Sequence, residues 1–264
     1  METNYKELLL DLQKYENQFE DLFSNIFTLR EIGNKTHGDM AEIALTEFVN
    51  SFLSNKYKAI HVGKELFRKK NKEEDILVIN NLNKKEIPIS VKAYGIGPLQ
   101  LSTDKNYTLF PLLESYNTNM ITNKEIISEI VNNENFNHIS NINVLPLIYD
   151  EDNHKCNIMI YDFDTVKNCV SKIEKELPNG RRVHPVYKFF NDKEEYLFEV
   201  RYGGTNANAL QRGVWTHTKK AETQFISITN GWINYTTRIE LLNILSKLMI
   251  TSENQLKTLT GLMF

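Results

Sequence analysis

The stretch EEDILVINNLNKKEIPISVKAYG, residues 73 to 95, sets an acid, Asp75, at the mouth of one apolar run. Fourteen residues then intervene before Ser90-Val91-Lys92 on a second run. Strand side chains alternate faces, so Ile87, Ile89, Val91 and Ala93 share one face and Ser90, Lys92 and Tyr94 the other. Asp75 is in phase with Leu77 and Ile79. An acid and a lysine thus meet at the edge of a packed core, where charge is costly unless it is paired or binds metal. The chemistry that uses such a set is metal-assisted phosphodiester hydrolysis. A carboxylate anchors Mg²⁺, which neutralises phosphate and lowers the pKa of a bound water. A lysine on the neighbouring strand positions that water or stabilises developing charge.

The pattern resembles the PD-(D/E)XK nucleases, in which an acid and a variable gap precede (D/E)-X-K on the adjacent strand. The match is Asp75 followed by Ser90-Val91-Lys92, with Glu74 where proline is usual and Ser90 where the second acid is usual. Serine holds a metal poorly, and some restriction enzymes of this family take the acid from elsewhere in the fold. Glu42 is the best local candidate. At 100° per residue it borders the stripe of Leu45, Phe48, Val49 and Phe52, whereas Glu47 points almost oppositely. A glutamate on the helix before the core hairpin commonly faces the site in this family, and HGDMAEIALTEF resembles that helix. The resemblance implies Asp75 and Glu42 as metal ligands, Lys92 polarising the attacking water, Ser90 in the vacant acid position, and Mg²⁺ as cofactor. It also implies an α/β (α+β) fold with a restriction-endonuclease-like core, a central mixed β-sheet flanked by helices. A single domain over residues 1–264 is expected, with its catalytic core near 35–105 and recognition elements near 180–235.

Binding groups are expected in two places. After the lysine strand, AYGIGPLQLSTDKN forms a constrained loop with Gln100, Ser102 and Thr103 as polar tips. Further on, RYGGTNANALQRGVWTHTKK lacks core periodicity and carries Arg201, Asn206, Asn208, Gln211, Arg212, Trp215, Thr216, His217, Lys219 and Lys220. Arg, Asn and Gln pair bidentately with base edges, while Lys, Thr and glycine amides suit phosphate oxygens. Arg181-Arg182 is a second basic cluster, and His37 stands near the active-site helix. The plain alternative for residues 201 to 220 is a long polar surface loop followed by a short helix.

These residues need elements to hold them. Residues 4 to 28 read as an amphipathic helix, and 39 to 55 as a second, with Asp39 as N-cap and Glu42 completing a capping-box-like pair. Strands are expected at 57 to 62, in the hairpin, and on either side of the polar turn at 150 to 154. TVKNCVSKIEKEL reads as a helix stopped by Pro178-Asn179-Gly180. YKFFNDKEEYLFEVRYGG reads as a hairpin, TQFISITNGWINY as a strand, and RIELLNILSKLM as a closing helix.

Composition narrows the classes. The chain has 264 residues, 25% charged and 41% hydrophobic, an ordinary globular balance. A net charge of −3 gives no global basic field, although acidic metal ligands can stand beside local basic patches. Two cysteines outside any CxxC pattern argue against disulfides and zinc, and for a reducing cytoplasm. No segment has the length and apolarity of a membrane span, and no signal peptide, P-loop, GxSxG or HExxH occurs. The expectation is therefore a cytoplasmic, Mg²⁺-dependent type II restriction endonuclease acting on double-stranded DNA. A homodimer suits a palindromic site, and a cognate DNA methyltransferase completes the system without a physical complex. The alternatives are a repair or recombination nuclease of the same fold, and a DNA-binding module whose nuclease site has decayed.

Overall fold

The structure, a computed structural model, describes residues 3–32, 37–62, 74–104, 106–134, 136, 143–150, 152–180, 184–202 and 212–250. Three helices come first: α1 (Thr3–Gln13), α2 (Glu16–Ile32) and α3 (His37–Phe52). The expected single helix over 4 to 28 is two. The chain breaks where Asp11 accepts hydrogen bonds from Lys14 (2.6 Å), Lys56 (2.7 Å) and the Tyr57 hydroxyl (3.0 Å). Each helix buries one stripe: Tyr5, Leu8 and Leu12 on α1, Phe19, Phe23 and Ile26 on α2, and Ala41, Leu45, Phe48 and Val49 on α3.

The three helices cover strands β1 (Tyr57–His61), β2 (Ile76–Asn80) and β3 (Glu86–Gly95), which pair antiparallel in chain order. The sheet continues with β6 (Asn143–Asp150), parallel to β3, and β7 (Lys155–Tyr161), antiparallel to β6. The short strands β12 (Phe225–Ser227) and β13 (Ile233–Asn234) both pair with β7. The face split expected of β3 is seen: Ile87, Ile89 and Val91 are buried in the first core, while Tyr94 packs against the second.

A second sheet of six strands runs in the order β4 (Pro98–Thr103), β11 (Gly213–His217), β10 (Tyr196–Arg201), β9 (Val186–Phe190), β8 (Lys172–Glu176) and β5 (Met120–Ile121). Helices α4 (Leu109–Ser115), α5 (Lys124–Val131) and α6 (Phe163–Lys167) contribute to its core, which is rich in aromatic side chains such as Phe136, Phe189 and Phe198. The closing helix α7 (Ile239–Ile250) packs on α2. Among the described residues the protein is thus α+β with seven helices, and its strands divide between two sheets rather than forming one central sheet.

One expected helix is corrected. TVKNCVSKIEKEL supplies only α6 and then β8, between β5 and β9. Ile173 is fully buried, while Lys172 and Lys175 reach across to Glu194 and Glu114. Good helix formers lie in a strand because cross-strand pairing outweighs propensity. Both cysteines are free thiols. No helix among the described residues is long and apolar enough to cross a membrane.

Candidate active site

Helix α3 packs on β1 and β3, and this contact assembles the site. Glu42 follows buried Ala41 by one residue, so it leaves the edge of the buried stripe. Its Oε2 lies 3.1 Å from Nε2 of His61, the last residue of β1. The capping-box expectation is corrected: α3 begins at His37, so Asp39 lies inside the first turn, and the Glu42 carboxylate engages His61. Glu47 is exposed, as its angle on the helix requires.

Asp75 stands one residue before β2. Its backbone continues the ladder, donating to Ile89 O (2.8 Å) and accepting from Val62 N (2.9 Å). With Ile76 opposite Ile89, Asp75 comes opposite Ser90. Its Oδ2 accepts from the Ser90 hydroxyl at 3.1 Å and from the Val91 amide at 2.7 Å. Among the described residues no hydrogen bond reaches Oδ1. Ser90, in the vacant acid position, is 1% exposed, and its hydroxyl is turned to Asp75, whose carboxylate it holds.

Charge ties the cluster together. Burial, and then the negative charge of Asp75, push the Glu42 pKa up, with the His61 bond opposing. Burial likewise raises Asp75, and the Lys92 ammonium is the largest opposing influence. Glu42 therefore feels the charge of Asp75, and Asp75 that of Lys92. Such a pair favours a cation.

The donor set fits Mg²⁺, which is commonly held by one or two carboxylates and completes its shell with water and substrate phosphate. Among the described residues no group of three or more His, Cys, Asp or Glu side chains converges, so a closed protein cage of the zinc type is not formed there. His61 was missed in the sequence. The signal was present: it is in phase with Tyr57 and Ala59, both buried under the helices.

The expected binding residues divide. Asn206, Asn208, Gln211, Arg181 and Arg182 lie outside the described residues, as does the His37 side chain. The stretch after them is not a loop. Gly213 to His217 form β11, paired with both β4 and β10, and Val214 is fully buried. Thr216 is 1% exposed and its hydroxyl donates to Leu197 O at 2.8 Å, while Ser102 is also buried. Neither hydroxyl is at the surface, so both are corrected from binding to packing positions.

The remaining residues share a sheet face or its rim. Trp215 pairs with Gln100 on one side and Glu199 on the other. The Arg201 guanidinium stacks 3.9 Å from the Trp215 ring and lies 3.2 Å from Glu199. Gln100 donates to Arg212 O at 3.4 Å, and the Arg212 guanidinium lies 5.6 and 5.9 Å from the Tyr107 and Tyr202 rings. Thr103 pairs with Gly213 and is half-buried. Lys219 and Lys220 are exposed. Burial, and then Lys220, push the His217 pKa down. Strand β3 leads into β4 through a turn that Gly97 fastens to Thr218, with its amide donating to Oγ1 at 2.7 Å.

No family model, curated protein or solved structure matches the chain. The likeness to a nuclease family therefore rests on these residues and their geometry.

Proposed function

We propose that the chain is a Mg²⁺-dependent, site-specific endonuclease of the type II restriction class, hydrolysing phosphodiester bonds in double-stranded DNA. The observation that carries this reading is geometric: Glu42, on a separate helix, bonds His61 at 3.1 Å, and the next residue, Val62, donates its amide to Asp75 O at 2.9 Å, which brings the α3 carboxylate to the strand edge that bears Asp75. A glutamate from α3 replacing the acid missing at Ser90 is what the PD-(D/E)XK resemblance called for. The order α3, β1, β2, β3, with β6 parallel to β3, supports a restriction-endonuclease-like core.

Asp75 and Glu42 would hold the cation. When bound, it supplies neutralisation of phosphate charge and acidification of water. Lys92 directs its ammonium at charge developing on the phosphate. Ser90 and the Val91 amide hold the Asp75 carboxylate in one orientation, and His61 does the same for Glu42. Positioning of this kind lowers the reorganisation needed at the moment of reaction.

The β4–β11–β10 face would meet DNA. Gln100, Arg201 and Arg212 would supply base-reading side chains, and exposed Lys219 and Lys220 would supply cationic contacts. A cytoplasmic homodimer reading a palindrome, with a methyltransferase protecting the host, belongs to the same proposal. A second reading, a DNA-binding module with a lapsed site, is favoured by the loss of an acid at Ser90. Bacteriophage DNA incubated with and without Mg²⁺ separates the readings. Discrete fragments are expected. A smear marks a structure-directed nuclease, and retained binding without cutting marks the module.

A further inference from the structure

We propose that a recess beside the end of β3 binds an unpaired nucleobase of the nucleic acid, stacked against Trp232. Among the described residues the recess has a volume of about 310 Å³ and is lined by Ile96, Met159, Phe225 and Trp232, with Thr218, Lys219 and Glu222 as its polar members. That volume lies at the small end of ligand pockets, roughly 300–1,000 Å³. Its lining combines flat aromatic surface with a cationic donor and an anionic acceptor. A nucleobase needs that combination, a π-face to stack on and edge groups to bond. An aliphatic ligand would leave Lys219 and Glu222 unused.

Three features favour this occupant. Trp232 and Ile96 are each 41% exposed and line the same recess, so apolar surface is open to a ligand there. Trp232 is nevertheless held firmly. Ile233 pairs with Cys156 directly after it, and the preceding residues are fastened to buried Asn157 through Ser227 (2.8 Å) and Thr229 (3.3 Å). Lys155 Nζ lies 5.1 Å from its ring centre. Anchoring of the neighbouring residues reduces the freedom the segment loses when a base stacks on the ring. The third feature is place. Ile96 follows the catalytic strand by one residue, and its turn is bound to Thr218 by Gly97. Ile96 lies four positions after Lys92, at most about 13 Å of extended chain, or roughly four nucleotide steps at ~3.4 Å. DNA seated at Asp75 and Lys92 would pass within reach of the recess.

This inference rests on the reading of the chain as a nucleic-acid protein; the candidate active site enters only in the argument from place, and stacking on Trp232 requires neither metal nor cleavage. The test is fluorescence anisotropy with the full chain in Ca²⁺, using four labelled probes: a single-stranded thymidine 12-mer, an abasic 12-mer, a paired duplex, and the same duplex with one unpaired thymidine. Wild-type protein should bind the thymidine strand more tightly than the abasic one. Trp232→Ala should weaken thymidine-strand binding by roughly fivefold to a hundredfold, the scale of one stacked base, and leave abasic binding unchanged. Trp232→Phe should restore most of the loss, which guards against a folding defect. A matching loss on the duplex with one unpaired thymidine, but not on the paired duplex, identifies an extruded base as the occupant. A loss on the single strand alone identifies single-stranded DNA. Equal weakening for the thymidine and abasic strands, or none for either, overturns the proposal. If the Trp232 effect is absent while Mg²⁺-dependent cutting occurs, only the pocket assignment fails; if the effect is present without cutting, only the nuclease reading fails.

Discussion

Glu42 and Glu47 lie five residues apart on α3, the first against His61 and the second in solvent. If Glu42 supplies the second carboxylate, Glu42→Gln should cut DNA at least roughly a hundredfold more slowly, the scale of removing one charge-stabilising group. Glu47→Gln should cut at the wild-type rate. Single-turnover cleavage measures both, and equal rates in the two variants would remove Glu42 from the site. A second prediction concerns pH. The pKa values of Glu42 and Asp75 are both raised, chiefly by burial. An acid with a raised folded pKa contributes stability that is complete below its unfolded pKa and lost as pH rises through the folded value. The cation-free protein should therefore lose stability from these sites as pH climbs out of the ordinary carboxylate range. Bound Ca²⁺ should offset that loss, raising the unfolding temperature more at about pH 7.5 than at about pH 5. In Asp75→Asn the pH dependence of the Ca²⁺ shift should shrink; calorimetry showing the same shift at both pH values would argue against a cation site. At this scale the sequence was legible where periodicity applied, as for Glu42 and the split of β3. His61 was missed, and the bond of Ser90 to Asp75 was not legible, because their partners come from a helix and from across the sheet.

At the scale of elements, β11 shows how a polar sequence becomes a core strand. Residues 213 to 217 alternate Val214 and Thr216 inward against Trp215 and His217 outward, but a hydroxyl on the inner face hides the period. Thr216 is tolerated there because Leu197 O accepts its proton. Gly213 permits the pairing. Its φ is +142°, and a Cβ there would meet Ser102 O at 2.1 Å. Gly213→Ala should destabilise the protein by about 1–3 kcal/mol, the cost of a strained backbone position, and shift the urea midpoint down. An unchanged midpoint would mean that β4 and β11 do not pair so closely. Strand β8 was misread for the opposite reason: Lys and Glu favour helix locally, and only their partners on β9, α4 and the turn at Glu194 favour a strand.

For the whole molecule, the division into two sheets was not legible, because it depends on pairings such as Thr103 with Gly213, about 110 residues apart. Local patterns give elements, whereas neighbours in a sheet are fixed by packing over the whole chain. The consequence for function is that β3 leads from the carboxylate site of the first sheet into β4, the strand that abuts the expected recognition face of the second. With a net charge of −3, binding must come from local patches. Lys220→Ala should weaken binding to all duplexes alike and reduce the slope of log affinity against log salt by about one unit. An unaltered slope would place the phosphate contacts elsewhere. The central claim, that Asp75 anchors a catalytic cation, is tested most directly by Asp75→Asn, which preserves shape and removes charge. Cleavage of bacteriophage DNA in Mg²⁺ should fall by several orders of magnitude, on the order of the stabilisation a catalytic metal supplies, while binding measured in Ca²⁺ weakens far less. An Asp75→Asn protein that cuts at the wild-type rate would contradict the account.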